Sequence, residues 1–179
     1  MKVLAFAASS SQQSINHKLV SYAEKLIKEY NDAAEVNLIR INDFEMPLFS
    51  IDRENELGQP PEAKAFHQKI SESDIIVISF AEHNGSYSAA YKNLFDWTSR
   101  IDTKVFQDKS LLLLATSPGA GGAATVLNQA TTSAPYFSGN LKASLSVGSF
   151  FDNFDTETNT ISNQELNQKL IDAIKQLNE

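Results

Sequence analysis

Residues 74–100 of this chain read Asp74-Ile-Ile-Val-Ile-Ser-Phe80, Ala81-Glu-His-Asn-Gly-Ser-Tyr-Ser88 and Ala89-Ala-Tyr-Lys-Asn-Leu-Phe-Asp-Trp-Thr-Ser-Arg100. The first part is an apolar run, typical of a strand that is covered on both faces. The last part carries apolar side chains at intervals of three and four, which predicts a helix. A short polar turn between a buried strand and a helix N-terminus suits a polar ligand, because free backbone N–H groups converge there.

The same alternation of strand and helix runs along the whole chain. Apolar or alternating segments predict strands at residues 2–8, 35–41, 74–80, 110–116 and 141–147. Apolar periodicity predicts a helix that ends near Tyr30, one that opens at Pro60-Pro61, helices over 89–100 and 123–137, and a last one after the capping box Ser162-Asn-Gln-Glu165. Residues 42–61 and 148–161 are predicted to be loops. No repeat or linker interrupts the pattern, so residues 1–179 are predicted to form a single domain.

Alternating strands and helices predict an α/β fold with a parallel sheet and helices on both faces. The first, third and fourth strands are apolar and are expected inside the sheet, whereas the second and fifth carry polar residues and are expected at its edges. A flavodoxin-like, doubly wound, five-stranded parallel sheet with the order 2-1-3-4-5 satisfies both conditions. The ligand crevice of that fold lies at the carboxyl ends of the first and third strands.

The composition argues against several classes of function. A formal charge of −7, a pI near 5.0 and scattered Lys and Arg residues argue against nucleic-acid and anionic-membrane surfaces. The chain has no cysteine, which excludes disulfides, thiol catalysis and Cys-ligated metals. His and acidic residues show no metal-ligand spacing, so no metal site is predicted. No apolar run approaches the roughly 18–20 residues of a membrane span and no signal peptide is recognisable, so we expect a cytoplasmic protein.

Two polar loops are predicted to meet at the crevice. The loop after the first strand offers the hydroxyls of Ser9, Ser11 and Ser14, the amide of Asn16 and helix N-terminal N–H groups, which together suit a phosphate. It lacks GxGxxG and GxxxxGK, which argues against dinucleotide and nucleoside-triphosphate sites of the usual kind. Taken alone, this loop is better explained as a helix cap, but its place at the crevice favours the ligand interpretation.

The loop after the third strand supplies Glu82, His83, Asn84, Gly85 and Ser86. It suits a flat polar heterocycle, because Gly85 lets the backbone approach closely and the Asn84 amide meets ring heteroatoms. A plain strand-to-helix turn is the alternative interpretation. The sequence has no GxSxG elbow and no second histidine near His83, so no catalytic side chain is predicted.

In these residues the chain resembles the NADPH-dependent FMN reductase family of flavodoxin-like proteins, which includes quinone, chromate and azo-dye reductases. The resemblance spans essentially the whole chain. The matching motifs are Ser9-x-x-x-x-Ser14-x-Asn16, then Glu82-x-Asn84-Gly85-Ser86 with Lys92-Asn93-x-x-Asp96-Trp97-x-Ser99-Arg100, and Ser117-Pro118-Gly119 with Gly121-Gly122.

The resemblance implies that FMN is the cofactor and that NADPH or NADH is the electron donor. It implies that the FMN phosphate is held by Ser9, Ser11, Ser14, Ile15 and Asn16. It implies that the isoalloxazine ring is bound by Glu82, His83, Asn84, Gly85 and Ser86, with Ser117 near the other edge.

The reaction implied is hydride transfer through FMN to a small-molecule acceptor, namely a quinone, a nitro or azo compound, or a flavin. No general base is then required, because the flavin carries the chemistry. The resemblance also implies a homodimer or homotetramer. Two alternatives stay open at this point. One is a flavodoxin-like FMN-binding protein without nicotinamide turnover, acting as an electron carrier or regulatory binder. The other is a scaffold that has lost its cofactor.

Overall fold

Parallel strands form one central sheet with helices on both faces. A computed structural model describes the backbone of residues 1–178 and the side chains of residues 1–177. The sheet strands are β1 (Lys2–Ala8), β2 (Glu35–Arg40), β3 (Ile75–Phe80), β6 (Ser110–Thr116) and β7 (Asn140–Val147). Two antiparallel pairs are β4 (Glu82–His83) with β5 (Ser86–Tyr87), and β8 (Phe154–Asp155) with β9 (Thr160–Ile161). The helices are α1 (Ile15–Tyr30), α2 (Ile51–Leu57), α3 (Pro61–Ser71), α4 (Ala89–Ser99), α5 (Ala124–Ser133), α6 (Phe150–Asn153) and α7 (Gln164–Lys175).

The strands of the sheet follow the order β2-β1-β3-β6-β7, which confirms the predicted order. On one face α1 and α7 pack with Val3 and Val77, and on the other α3, α4 and α5 pack with Leu4 and Ile76. Because successive residues of a strand point to opposite faces, a strand between two helix layers needs apolar residues throughout. Within residues 1–178, no helix has the length and apolar content that crossing a bilayer requires.

The edge strand β7 contains a bulge that the sequence did not reveal. Leu111 pairs with Leu141 but Leu112 pairs with Ala143, so Lys142 is an extra residue opposite this step. The insertion turns Leu141 towards the α3–α5 layer, while Ala143 packs against the α1–α7 layer. Bulges of this kind are common at sheet edges, where the ladder has only one neighbour.

The two segments predicted as loops contain more structure than expected. Residues 42–61 hold α2, in which no residue is buried. The helix therefore left no apolar stripe in the sequence, although Ser50 caps it by accepting a hydrogen bond from the Arg53 N–H at 3.1 Å. Residues 148–161 hold α6 and the β8–β9 hairpin.

Two predicted helix boundaries were wrong. The helix predicted over 123–137 is α-helical only to Ser133, and a 3₁₀ turn continues from Ala134 to Phe137. Pro135 has no N–H to donate to the preceding turn, which explains the change. The cap of α7 is Asn163 rather than Ser162, since the Asn163 side chain accepts from the Leu166 N–H at 3.1 Å.

Candidate functional site

The carboxyl ends of β1 and β3 open into a cleft with about 610 Å³ of free space. Strand order reverses at this point, which is where doubly wound sheets bind ligands. The volume lies within the roughly 300–1,000 Å³ of small-molecule sites. The cleft is lined by the serine loop (residues 9–16), the start of the β4–β5 hairpin and the turn after β6. It brings together eight of the predicted residues: Ser9, Ser11, Ser14, Ile15, Asn16, Glu82, His83 and Ser117.

The serine loop runs into the N-terminus of α1. Ser14 is the N-cap, and its hydroxyl accepts a hydrogen bond from the His17 N–H at 3.2 Å. The backbone N–H groups of Ile15 and Asn16 meet no acceptor among residues 1–178. They are therefore available to an anion, which the positive end of the helix dipole also favours.

The side chain of Asn16 is used inside the protein. Its Oδ1 accepts from the Ser79 hydroxyl at 2.8 Å and from the Thr116 N–H at 3.1 Å, and its Nδ2 donates to the Thr116 carbonyl at 3.1 Å. Asn16 is only 3% exposed, so these bonds form away from solvent. They tie the first turn of α1 to β3 and β6. Asn16 thus positions the serine loop, and its backbone N–H is the part that faces a ligand anion.

The β4–β5 hairpin turns on Asn84 and Gly85. Both residues have positive φ, 52° and 75°, as in the type I′ turn that Asn-Gly favours. This turn carries Asn84, Gly85 and Ser86 out of the cleft, so none of the three lines it. Ser86 instead donates a hydrogen bond to Gln129 of α5 at 3.1 Å. A ligand role for these three residues stays a prediction.

The carboxylate of Glu82 caps α5. It accepts a hydrogen bond from the Val126 N–H at 2.9 Å, in the first turn of that helix. The residue before α5 is Ala123, which has a positive φ of 59° and no side-chain oxygen to serve as a cap. A carboxylate at the positive end of a helix is favourable. Glu82 therefore fixes the hairpin against α5, and within the described chain it is the acidic residue that lines the cleft.

Three further buried residues fix the cleft, and sequence reasoning missed them. Besides Ser79, the hydroxyl of Ser88 donates to the Ala8 carbonyl at 2.8 Å, joining the end of β1 to the start of α4. The Thr116 hydroxyl donates to the Val147 carbonyl at 2.6 Å and so extends the network to β7. A lone serine inside an apolar strand was the available signal for Ser79, because a buried hydroxyl needs a partner.

The glycine-rich turn after β6 is shaped by packing. Gly122 has a φ of 59°, and a Cβ on it would lie 2.3 Å from the Ser146 Oγ. The Ser146 hydroxyl also donates to the Gly122 carbonyl at 2.8 Å. Ser117 lies at the mouth of the cleft, and its hydroxyl donates to the Gly119 carbonyl at 3.1 Å. The glycine at 122 is therefore explained by its contact with β7.

Neutral donors dominate the phosphate end of the cleft. Burial lowers the pKa of His17 below its ordinary value of 6.5, and the nearby Arg40 lowers it further, against a smaller opposing effect of Glu24. The imidazole is therefore neutral at pH 7. No Lys or Arg lines the cleft anywhere in the part of the chain that the structure describes. Hydroxyls, unpaired N–H groups and the dipole of α1 fit a phosphate, and the backbone of the hairpin fits a flat ring system.

The fold and the cleft define a flavodoxin-like protein with a site for a phosphate-bearing ring compound. The sequence profile of one family, NADPH-dependent FMN reductase, matches residues 1–153. The chain therefore belongs to the NADPH-dependent FMN reductase family. At the level of the family, this confirms the prediction of FMN as cofactor with a nicotinamide donor.

Individual relatives agree with this assignment. The chain is 35% identical over 122 residues to an NADPH:quinone oxidoreductase of Arabidopsis thaliana, a match that covers 68% of this chain and 61% of that protein. It is 27% identical over 175 residues to the NADH-dependent flavin reductase subunit 2 of Lactobacillus johnsonii, covering 92% of this chain and 89% of the relative.

A solved structure supports the fold. FerB, a flavoenzyme NAD(P)H:(acceptor) oxidoreductase from Paracoccus denitrificans, superposes with a TM-score of 0.74 at 20% identity. The superposition covers 99% of this chain and 97% of FerB. At this identity the likeness bears on the fold alone.

Proposed function

We propose that this chain is an FMN-dependent NAD(P)H oxidoreductase that passes hydride to a quinone, a nitro or azo compound, or a flavin. The observation that carries the proposal is the meeting of the serine loop, the hairpin start and the turn after β6 around one cleft at the switch point. Family membership supports the cofactor and the donor. The names of the two relatives, a quinone oxidoreductase and a flavin reductase, support the class of acceptor.

In this proposal the two ends of FMN are held by different groups. The phosphate would be held by neutral donors, namely the hydroxyls of Ser9, Ser11 and Ser14 and the backbone N–H groups of Ile15 and Asn16. The ring would lie along Glu82 and His83, with Ser117 at its other edge and Asn84, Gly85 and Ser86 as further predicted contacts. The chemistry that bound FMN supplies is hydride acceptance from a nicotinamide and hydride delivery to the acceptor.

The side chains of the cleft are suited to binding and orientation. The Glu82 carboxylate is engaged at the start of α5, and the His83 side chain is exposed to solvent. Asn16, Ser79 and Thr116 hold the loops that form the walls. We therefore assign no catalytic side chain, in agreement with a reaction whose hydride passes through the flavin.

Nicotinamide turnover tests the proposal. The purified chain is loaded with FMN, and oxidation of NADH and of NADPH is followed at 340 nm with and without 1,4-naphthoquinone. We expect oxidation that depends on both the protein and the quinone. Flavin retention without nicotinamide oxidation contradicts the oxidoreductase proposal and favours an electron carrier or a regulatory binder. A protein that stays colourless after FMN loading and desalting contradicts both.

We further propose that the chain forms a homodimer. Leu48, Ile51 and Leu57 are 68%, 57% and 53% exposed on and beside α2, and such a cluster of large apolar side chains marks an interaction surface. Light scattering after size exclusion is expected to give about twice the chain mass of 19.7 kDa. Ile51→Glu should shift the protein towards monomer, whereas Tyr30→Glu, on α1 across the sheet, should not. A monomeric wild-type protein contradicts the proposal.

We also infer that the chain is one flavodoxin-like domain that acts in the cytoplasm. The five parallel strands of the described residues join a single sheet, and both helix layers pack on it. One cooperative unfolding transition, monitored by two spectroscopic probes, would agree with a single domain. Cell fractionation of the tagged protein tests the compartment.

A further inference from the structure

A second cavity lies between α4 and α5, with about 720 Å³ of free space. It shares no lining residue with the cleft at the switch point. Much of its wall is aromatic and is formed by Phe80, Tyr87, Tyr91, Phe95, Phe106 and Phe137. These rings pack edge-to-face or tilted, and their centroid separations are 5.4 Å for Phe80–Tyr91 and 4.7 Å for Phe95–Phe137. Interlocked aromatic rings of this kind form a stiff apolar wall.

One polar group of this wall lacks a partner. Tyr91 is only 3% exposed, yet its hydroxyl takes part in no hydrogen bond with another described residue. Within the same residues, the buried side-chain atoms that are sealed by protein and unpaired do not include this oxygen, so the space it meets is the cavity. The neighbouring Tyr87 hydroxyl lies 3.3 Å from the Ser133 Oγ and is therefore paired. An unpaired buried hydroxyl is costly, which points to a missing acceptor or donor.

The charge around the cavity favours a neutral ligand. Lys92 and Asp96, the two charged residues among the described lining, form an ion pair with an Nζ–Oδ1 distance of 2.6 Å. Burial raises the pKa of Tyr91 well above its usual range, so the phenol stays protonated and can donate at any ordinary pH. A ligand that matches the site has a flat apolar body, no charge and an oxygen that accepts one hydrogen bond.

We propose that the cavity between α4 and α5 binds a neutral, planar aromatic ketone or aldehyde whose carbonyl oxygen accepts a hydrogen bond from the Tyr91 hydroxyl. The aromatic wall matches the ring, and the unpaired phenol matches the carbonyl. A second copy of this chain is the competing occupant of the groove. It would leave the Tyr91 hydroxyl unpaired, because side chains that meet at a subunit surface stop short of a residue only 3% exposed. This site is separate from the cleft, so its occupancy requires neither FMN nor a nicotinamide.

A pair of probes isolates the hydrogen bond. Acetophenone and ethylbenzene have the same ring and nearly the same shape, but only acetophenone carries the carbonyl. Each is titrated into ¹⁵N-labelled protein as purified and again with excess FMN, and dissociation constants are taken from amide shifts in α4 and α5. The variants are Tyr91→Phe, which removes the unpaired hydroxyl, and Tyr87→Phe, which removes the paired hydroxyl of the same wall.

We expect Tyr91→Phe to weaken acetophenone binding about three- to tenfold, as for the loss of one hydrogen bond, and to leave ethylbenzene binding unchanged. Tyr87→Phe should leave the affinity for acetophenone unchanged. Excess FMN should displace neither probe. The proposal is overturned if Tyr91→Phe affects both probes equally or neither, or if the shifts fall in the serine loop and FMN suppresses them. Absence of shifts in α4 and α5 overturns it too, including the case in which a second copy covers the groove. Failure to bind FMN would affect the proposed function and leave this result unchanged.

Discussion

Replacing Asn16 by alanine tests the network that fixes the cleft. The substitution removes three hydrogen bonds at once, two to Thr116 and one to Ser79. It leaves the Ser79 hydroxyl and the N–H and carbonyl of Thr116 without these partners. Asn16 is 3% exposed, so solvent does not readily replace the lost bonds.

A net contribution of about 0.5–1.5 kcal/mol for each hydrogen bond predicts that Asn16→Ala lowers the free energy of unfolding by about 2–4 kcal/mol. This is a large share of the roughly 5–15 kcal/mol that stabilises a typical domain. Ser79→Ala removes one of the three bonds and should cost about 1 kcal/mol. The double variant should lose less than the two single losses combined, because both singles remove the same bond.

Urea unfolding of the FMN-free protein at pH 7, followed by the fluorescence of the buried Trp97, measures these values. The cofactor is left out because ligand binding adds to the apparent stability. Asn128→Ala is the matched control, since it makes the same exchange at an exposed helical position and should change stability by no more than about 0.5 kcal/mol. A loss below about 0.5 kcal/mol for Asn16→Ala, or strictly additive losses in the double variant, would refute the reasoning.

Three further predictions concern the walls of the cleft. Glu82→Gln should cost about 0.5–1 kcal/mol in urea unfolding at pH 7, because it removes a negative charge from the first turn of α5; unchanged stability would contradict the capping role. Gly122→Ala places a Cβ 2.3 Å from a neighbouring side chain at positive φ and should cost at least about 1–3 kcal/mol, whereas Gly119→Ala meets open space and should be near neutral. The wild-type protein should lose stability as the pH falls below 6.5, since burial lowers the folded-state pKa of His17 and the unfolded chain therefore binds more protons. His17→Gln should reduce this slope between about pH 7.5 and 5, and an identical slope would argue against the shift.

The sheet was predictable because burial leaves a direct trace in the sequence. A strand between two helix layers needs apolar residues at every position, and residues 110–116 and 74–80 show that run. The edge strands carry polar residues, so their places followed. The bulge at Lys142 was not predictable, because an alternating segment reads the same whether or not one residue is unpaired. The helix α2 was missed for the opposite reason, since none of its residues is buried.

The place of the candidate site was predictable, but the tasks of its side chains were not. The order of the strands put the two polar loops together, and the structure brings them to one cleft. Glu82 contacts Val126, 44 positions along the chain, and Asn16 contacts Thr116 at a separation of 100. Such contacts depend on how the layers pack, and local sequence does not record that. The Asn84-Gly85 pair did carry a local signal for a tight hairpin, which the expectation of a plain turn overlooked.

FMN binding to the purified chain tests the central claim most directly. Quenching of flavin fluorescence is titrated with wild-type protein, with Ser14→Ala, which removes a hydroxyl of the cleft, and with Ser10→Ala, whose hydroxyl lies outside it. We predict saturable binding of one FMN per chain, weakened about tenfold or more by Ser14→Ala because a hydrogen bond to a charged group is lost. Ser10→Ala should bind like the wild type. The absence of saturable binding, or equal affinities for all three proteins, would contradict a phosphate site at the serine loop.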